Sequence, residues 1–240
     1  MKKRSLLLSL SLLFILTVLT ASAVSGRQEK GSDFEEQGFI VLFNNKNLDG
    51  WRKLTEYSGD CGQWTVEDGV LVGTQYPEGK GGLLVTQEKY KNFILYAEVK
   101  ADYPVDSGLF LRVQPSVLSY QITIDYRPDG EVGAVYCPLG GDFLLHNPGV
   151  KELWKKDDYN QILVSIKGQP PIIKVSLNGK EVVEFKDEMK DGRYRVPDEG
   201  FIGVQVHPGE SWGKGNHVYF RKIMVKPLVI GDAPLGTTLY

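Results

Sequence analysis

Cysteine and histidine are scarce in this chain: Cys61 and Cys137 are its two cysteines, and His146, His207 and His217 its three histidines, in 240 residues. A structural zinc site needs four Cys or His ligands at close, repeated spacing, and these five residues show no such spacing, so no structural zinc is expected. Cys61 falls in a glycine-rich loop and Cys137 ends a strand-like run. An oxidising compartment would permit a disulfide between them; two free thiols are the alternative. An excess of charge of one sign is also missing. The 28 Lys and Arg against 30 Asp and Glu leave a net charge of −2, and the charges are scattered rather than clustered. That argues against a nucleic-acid-binding stripe or a polybasic membrane patch and favours a neutral partner over a polyanion. Helical periodicity is almost absent beyond the N-terminus, and no internal repeat or second domain is visible.

The long apolar run stands at the start. Met1-Lys2-Lys3-Arg4 is basic, residues 5–20 are apolar and rich in Leu, and Ala21-Ser22-Ala23 supplies small residues at a cleavage site. This is the pattern of a secretory signal peptide. It predicts a secreted or periplasmic protein with no stable membrane anchor after cleavage of residues 1–23, with an uncleaved anchor as the alternative because the run approaches spanning length, and no Cys follows the run to carry a lipid. Residues 24–37 are polar and read as a flexible leader, residues 38–228 as one β-sandwich domain, and residues 229–240 as a C-terminal tail.

Within that domain, short apolar alternations recur between turn signals. Strands are expected over 39–43, 64–66, 70–73, 82–85, 93–100, 108–113, 120–126, 133–137, 161–167, 172–177, 181–185, 201–207 and 218–225. Asp68-Gly69 and Asn178-Gly179 sit between such runs, and both dipeptides favour the positive φ angles of a two-residue hairpin turn. About a dozen strands without intervening helices predict an all-β, two-sheet antiparallel sandwich or jelly roll. Residues 139–158 and 208–215 lack alternation and read as long loops, the usual carriers of sites on a rigid sandwich.

Alternation also assigns faces. Leu109, Leu111 and Val113 oppose Phe110, Arg112 and Gln114; Tyr120, Ile122 and Ile124 oppose Gln121, Thr123 and Asp125; Ile202, Val204 and Val206 oppose Gly203, Gln205 and His207; Leu95, Ala97 and Val99 oppose Tyr96, Glu98 and Lys100. Water alone explains a polar sheet face. The residue types point further: Arg112, Gln121, Gln205 and His207, with Tyr136, offer planar hydrogen-bonding groups and an aromatic surface suited to sugar hydroxyls and ring faces. Trp51, Trp154 and Trp212 lie in or beside loops, although burial is the common fate of tryptophan.

The same residues carry a resemblance. Gly38-Phe39-Ile40-Val41-Leu42-Phe43 leading to Gly50-Trp51, Trp64-Thr65-Val66-Glu67-Asp68-Gly69, Asp106-Ser107-Gly108-Leu109-Phe110-Leu111-Arg112, Gly133-Ala134-Val135-Tyr136 and Gly203-Val204-Gln205-Val206-His207, in this order, resemble the 3-keto-disaccharide hydrolase domain family, a concanavalin-like jelly roll exported by many bacteria. Relatives often have Asn where Asp106 stands and Glu where Gln121 stands, with Asp125 placed to compensate on the same face. The resemblance implies an enzyme acting on 3-keto-glycosides, in which the C3 ketone acidifies the C2 proton. His207 would be the base, Arg112 the charge at the forming enolate, with a divalent metal ion as a further source of charge. Glu98 and Asp125 would orient these groups or ligate that metal, and Gln121, Tyr136, Gln205, Asp106 and Trp212 would bind substrate. A non-catalytic carbohydrate-binding module is the alternative, because this sandwich serves both roles.

Overall fold

The computed structural model describes residues 31–188 and 195–229. The proposed signal peptide and most of the C-terminal tail lie outside the described residues. Along the chain run α1 (Gly31–Glu36), β1 (Ile40–Val41), β2 (Trp51–Lys53), α2 (Thr55–Ser58), β3 (Gln63–Glu67), β4 (Val70–Thr74), β5 (Gly82–Tyr90), β6 (Phe93–Ala101), β7 (Asp106–Val113), β8 (Tyr120–Asp125), β9 (Val132–Cys137) and β10 (Asp142–Leu145). After a 3₁₀ turn (Val150–Leu153) come β11 (Asn160–Gly168), β12 (Pro171–Leu177), β13 (Lys180–Lys186), β14 (Gly200–Val206) and β15 (Val218–Pro227). All pairings are antiparallel. Sheet A has the order β13-β12-β11-β6-β15-β4-β3, with β1 added beside β15; sheet B has the order β10-β9-β8-β7-β14-β5-β2. The fold is the expected two-sheet jelly roll. The last two strands each lie inside a sheet, β14 between β5 and β7 and β15 between β6 and β4.

The turn chemistry acts as the sequence dictates. Asp68 and Gly69 have φ of 49° and 79°, Asn178 and Gly179 of 49° and 89°, the pair of positive angles that matches the twist of a tight hairpin. The core lies between the sheets, built from Leu109, Leu111, Ile122, Ile124, Ile202 and Val204 of sheet B against Leu95, Ala97, Val99, Ile162, Val164 and Ile223 of sheet A. Trp51, Trp154 and Trp212 are buried in this core, so Trp212 is not a substrate platform; its Nε1 donates to the Asn216 carbonyl at 2.9 Å. Part of the leader is ordered: α1 carries Phe34, whose ring meets Phe39 and Tyr96 on the outer face of sheet A. Within the expected loop 139–158 lies β10, an edge strand of four residues.

Arg112 departs from the alternation. It has φ of 55°, and the register of β7 against β14 shifts between Phe201 and Gly203. This bulge reverses the two residues at the end of β7. Val113 turns outward into a second apolar cluster with Leu54, Leu83, Val85, Phe110, Val117 and Phe201, and Arg112 is fully buried. The outer face of sheet B is therefore apolar at one end and polar at the other.

Candidate active site

The polar end is built where β7 and β8 meet β14. Asp106 and Asp125 are Cα partners across β7 and β8, and extension of the Leu109–Val204 pairing brings His207 beside Asp106. His207 Nε2 is 3.7 Å from Asp106 Oδ2, too long for a hydrogen bond but close enough to act on the Asp106 carboxyl through its charge. On its far side His207 Nδ1 meets Ser211 Oγ at 2.8 Å, which fixes the ring plane.

Arg127, just beyond β8, closes the opposite side. It clasps Asp125 through Nε–Oδ1 at 2.8 Å and Nη2–Oδ2 at 2.6 Å, and its backbone N–H donates to Asp125 Oδ1 at 3.1 Å. Its Nη2 also lies 3.8 Å from Asp106 Oδ2. Bidentate pairs of this kind are strong and directional. Gly130 makes the turn compatible, since a Cβ there would stand 2.2 Å from Asp125 Cγ. The Asp106 carboxyl is raised from 3.8 to about 6, chiefly by burial and further by the Asp125 and Asp129 charges, against the pull of His207 and Arg127. A largely buried carboxyl held above its ordinary value, beside a histidine and an arginine, is a functional-site signature.

The floor of the cleft is an amide bridge. Gln121 Nε2 donates to Gln205 Oε1 at 3.2 Å and reaches the Ser107 carbonyl at 3.5 Å. Gly108 permits this crossing, because a Cβ there would sit 2.7 Å from Gln121 Nε2. Ser107 Oγ donates to the Gln205 carbonyl at 2.8 Å and ties β7 to β14 beneath it. Tyr136 is the Cα partner of Gln121 on β9. Its hydroxyl is raised above the usual tyrosine value mainly by burial and then by the Asp106 charge, so it belongs to the same cleft.

Asp106, Gln121, Asp125, Tyr136, Gln205 and His207 are thus brought together. Glu98 and Arg112 are not. Glu98 lies on β6, in the other sheet, with its side chain on the outer face. There it accepts from Tyr96 at 2.7 Å and pairs with Arg221. Burial acts to raise its carboxyl, but hydrogen bonds from Tyr96 and Arg221 hold it below the ordinary carboxylate value. Arg112 reaches across the far end of the sandwich, donating to Lys91 O at 2.7 Å, Gly168 O at 3.0 Å, Asn92 Oδ1 at 3.2 Å and Gln169 Oε1 at 3.2 Å. It stands six positions along the chain from Asp106, about 20 Å of extended chain. It staples two turns and cannot serve the cleft. Sequence reasoning missed Arg127; its one signal is a position two residues beyond Asp125, ahead of Pro128-Asp129-Gly130.

A divalent metal ion needs several donors converging on one point. Among the described residues no group of three or more His, Cys, Asp or Glu side chains is so arranged, and the Asp106–Asp125 pair already holds the Arg127 guanidinium. The residues present do not fit such an ion. Cys61 and Cys137 are free thiols.

Comparison with known proteins bears on what this cleft is for. The chain is 26% identical to a 3-keto-disaccharide hydrolase of Bacteroides thetaiotaomicron, with 81% of this chain and 80% of that protein covered. Its fold is similar to the crystal structure of a Parabacteroides distasonis protein assigned as a glycosyl hydrolase (TM-score 0.59, 22% identity, 82% of this chain and 97% of that one). It is also similar to a β-1,3-1,4-glucanase from a mouse hindgut metagenome (TM-score 0.54, 15% identity, 79% and 98%). At these identities the two structures speak for the jelly roll alone. The model of the 3-keto-alpha-glucoside-1,2-lyase-like domain matches residues 38–226, a span that contains both sheets and every group of the cleft, and the chain belongs to that family.

Proposed function

We propose that this protein is an exported enzyme that cleaves 3-keto-glycosides by elimination. The observation that carries this reading is the Asp106–His207 pair, 3.7 Å apart, facing Arg127 above an amide-lined floor. The C3 ketone makes the C2 proton acidic. His207 Nε2 removes it, and the electron pair forms the C2=C3 enolate, whose oxygen faces Arg127. The enolate then collapses: C3=O reforms, C1=C2 forms, and the C1–O bond breaks. The proton held by His207 passes to the leaving oxygen. Water then adds across C1=C2 to give the free 3-keto sugar. Asp106 stabilises the transient imidazolium, and Gln121 and Gln205 supply donors and acceptors for the sugar hydroxyls.

Hydrolysis by two independent carboxylates suits the site less well. Asp106 and Asp125 sit directly opposite each other, but Asp125 is bound through both oxygens to Arg127. A carboxylate so engaged is neither a free nucleophile nor a proton donor. The amide at Gln121, in turn, is neither an acid nor a base, so in this reading acid–base work falls to the Asp106–His207 pair.

The test is incubation with a 3-keto-disaccharide and a chromogenic 3-keto-glucoside, with and without divalent metal, using wild type and His207→Ala. Product release by wild type that falls by about 10²–10⁴ in the variant is expected. Saturable binding without release in every condition would leave a carbohydrate-binding module. Export predicts that mature protein recovered from outside the cytoplasm begins at or near Val24.

A further inference from the structure

The row of residues that crosses sheet B at Gln121 continues past the reacting groups. Gln121 pairs with Tyr136, and Tyr136 pairs with Phe143 of β10, so the three side chains share one face. Phe143 is 40% exposed, on an edge strand, a place where proteins usually set charge to discourage pairing. Here it is held in place. Its ring packs edge-on against Tyr136, with centroids 5.0 Å apart, and lies flat against His146 at 4.4 Å and 26°. His146 is itself fixed: its Nδ1 meets Glu131 Oε1 at 2.7 Å, while the other oxygen of Glu131 accepts from the Asn147 backbone N–H. An exposed aromatic surface held in a fixed orientation loses little freedom when a ligand settles on it. Three strand spacings, about 14 Å, separate β10 from β7, the strand of Asp106, with β9 and β8 between them. The Phe143 ring is therefore too far to stack on a sugar whose C1 and C2 lie over Asp106 and His207, and a group on that C1 that extends across Tyr136 runs towards it.

We propose that Phe143 and His146 form a stacking platform for the leaving group, so that the preferred substrates carry a ring on C1. This rests on the reading of Asp106 and His207 as the cleavage centre. The shared chemistry is a flat apolar ring face, which a second pyranose and an aryl group both present. The His146 imidazole adds a polar edge that favours the hydroxyl-bearing pyranose.

The experiment is calorimetric titration of Asp106→Asn, which suppresses turnover, and of the double variant Asp106→Asn, Phe143→Ala, with three ligands: methyl 3-keto-glucoside, phenyl 3-keto-glucoside and a 3-keto-disaccharide. The expected result is a three- to tenfold loss of affinity for the two ring-bearing ligands and less than a twofold change for the methyl compound. His146→Ala should weaken the disaccharide more than the phenyl compound. Equal effects on all three ligands, no effect, or no binding by any of them would overturn the platform. Turnover by wild type is scored separately. Phe143-dependent binding without cleavage would refute the elimination reading alone, and cleavage with Phe143-independent binding would refute the platform alone.

Discussion

Asp106→Asn should make the protein more stable and the enzyme nearly inactive. The Asp106 carboxyl rises from 3.8 to about 6 on folding, with burial as the chief cause. At about 1.4 kcal/mol per pH unit, the ionised group opposes folding by at most about 3 kcal/mol. The side chain retains 19% exposure, and solvent screening reduces the expected gain to about 1–2 kcal/mol. Below 3.8 the carboxyl is protonated in both states and the substitution is nearly neutral. Between 3.8 and about 6 the folded state keeps its proton while the unfolded state loses it, so wild type weakens as pH rises, and above 6 the full difference is present. Thermal melts of the two proteins from pH 4 to pH 8 should therefore diverge, with the variant about 3–6 °C higher at pH 8 and the gap closing towards pH 4. In the same series wild-type kcat/KM should lose activity on an acid limb near pH 6, and the variant should be lower by at least about a hundredfold at pH 8. A variant less stable than wild type at pH 8 would mean that His207 and Arg127 stabilise the ionised form beyond its cost of burial, and the reasoning would fail.

Three further outcomes follow from the same geometry. Arg112→Met should lower the unfolding free energy by about 3 kcal/mol, because the hydrogen bonds from a fully buried guanidinium to two turns are lost. Single-turnover rates normalised to the folded fraction should stay unchanged, since the guanidinium lies at the wrong end of β7. Glu98→Gln should leave kcat and KM within twofold of wild type and reduce stability by about 1 kcal/mol, a result that a role in the cleft would contradict. Gly108→Ala should push Gln121 away from Gln205, raising KM severalfold and costing about 1–3 kcal/mol of stability, since the buried Gln121 loses its hydrogen bonds; an unchanged KM would show that the amide bridge takes no part in binding.

Much of the fold was legible because alternation is a local property. The faces of β8 and β14 follow directly from Ile122, Ile124, Val204 and Val206, whereas the convergence of Gln121, Asp125, Gln205 and His207 is set by the pairing of both strands with β7. Arg112 was misplaced because a single positive φ at a residue other than glycine reverses the parity, and no neighbouring residue announces it. Glu98 was misplaced for a different reason. Each sheet has an outer face with the same polar alternation, and strand parity does not say which sheet a strand joins. That depends on pairings across the whole chain, such as β6 with β15 and β11. Arg127 lies in a turn, where no periodicity operates. The edge strand β10 reads as loop in the sequence because its four residues carry a register shift between Phe143 and Leu145, which leaves too short a repeat to recognise.

The placement of β14 and β15 inside their sheets ties competence to the order of synthesis. A growing chain that has not yet reached residue 200 has β5 and β7 without the strand that joins them, and β4 and β6 without theirs. Each gap leaves unpaired backbone groups that another chain could satisfy. Closure waits for segments distant in sequence to find each other, which favours slow folding over the millisecond-to-second range. Asp106 and His207 meet only when that last insertion is made. A chain ending at Glu199 should therefore lack activity and aggregate, and the appearance of turnover during refolding should coincide with the final closure of sheet B rather than with the first gain of strand structure.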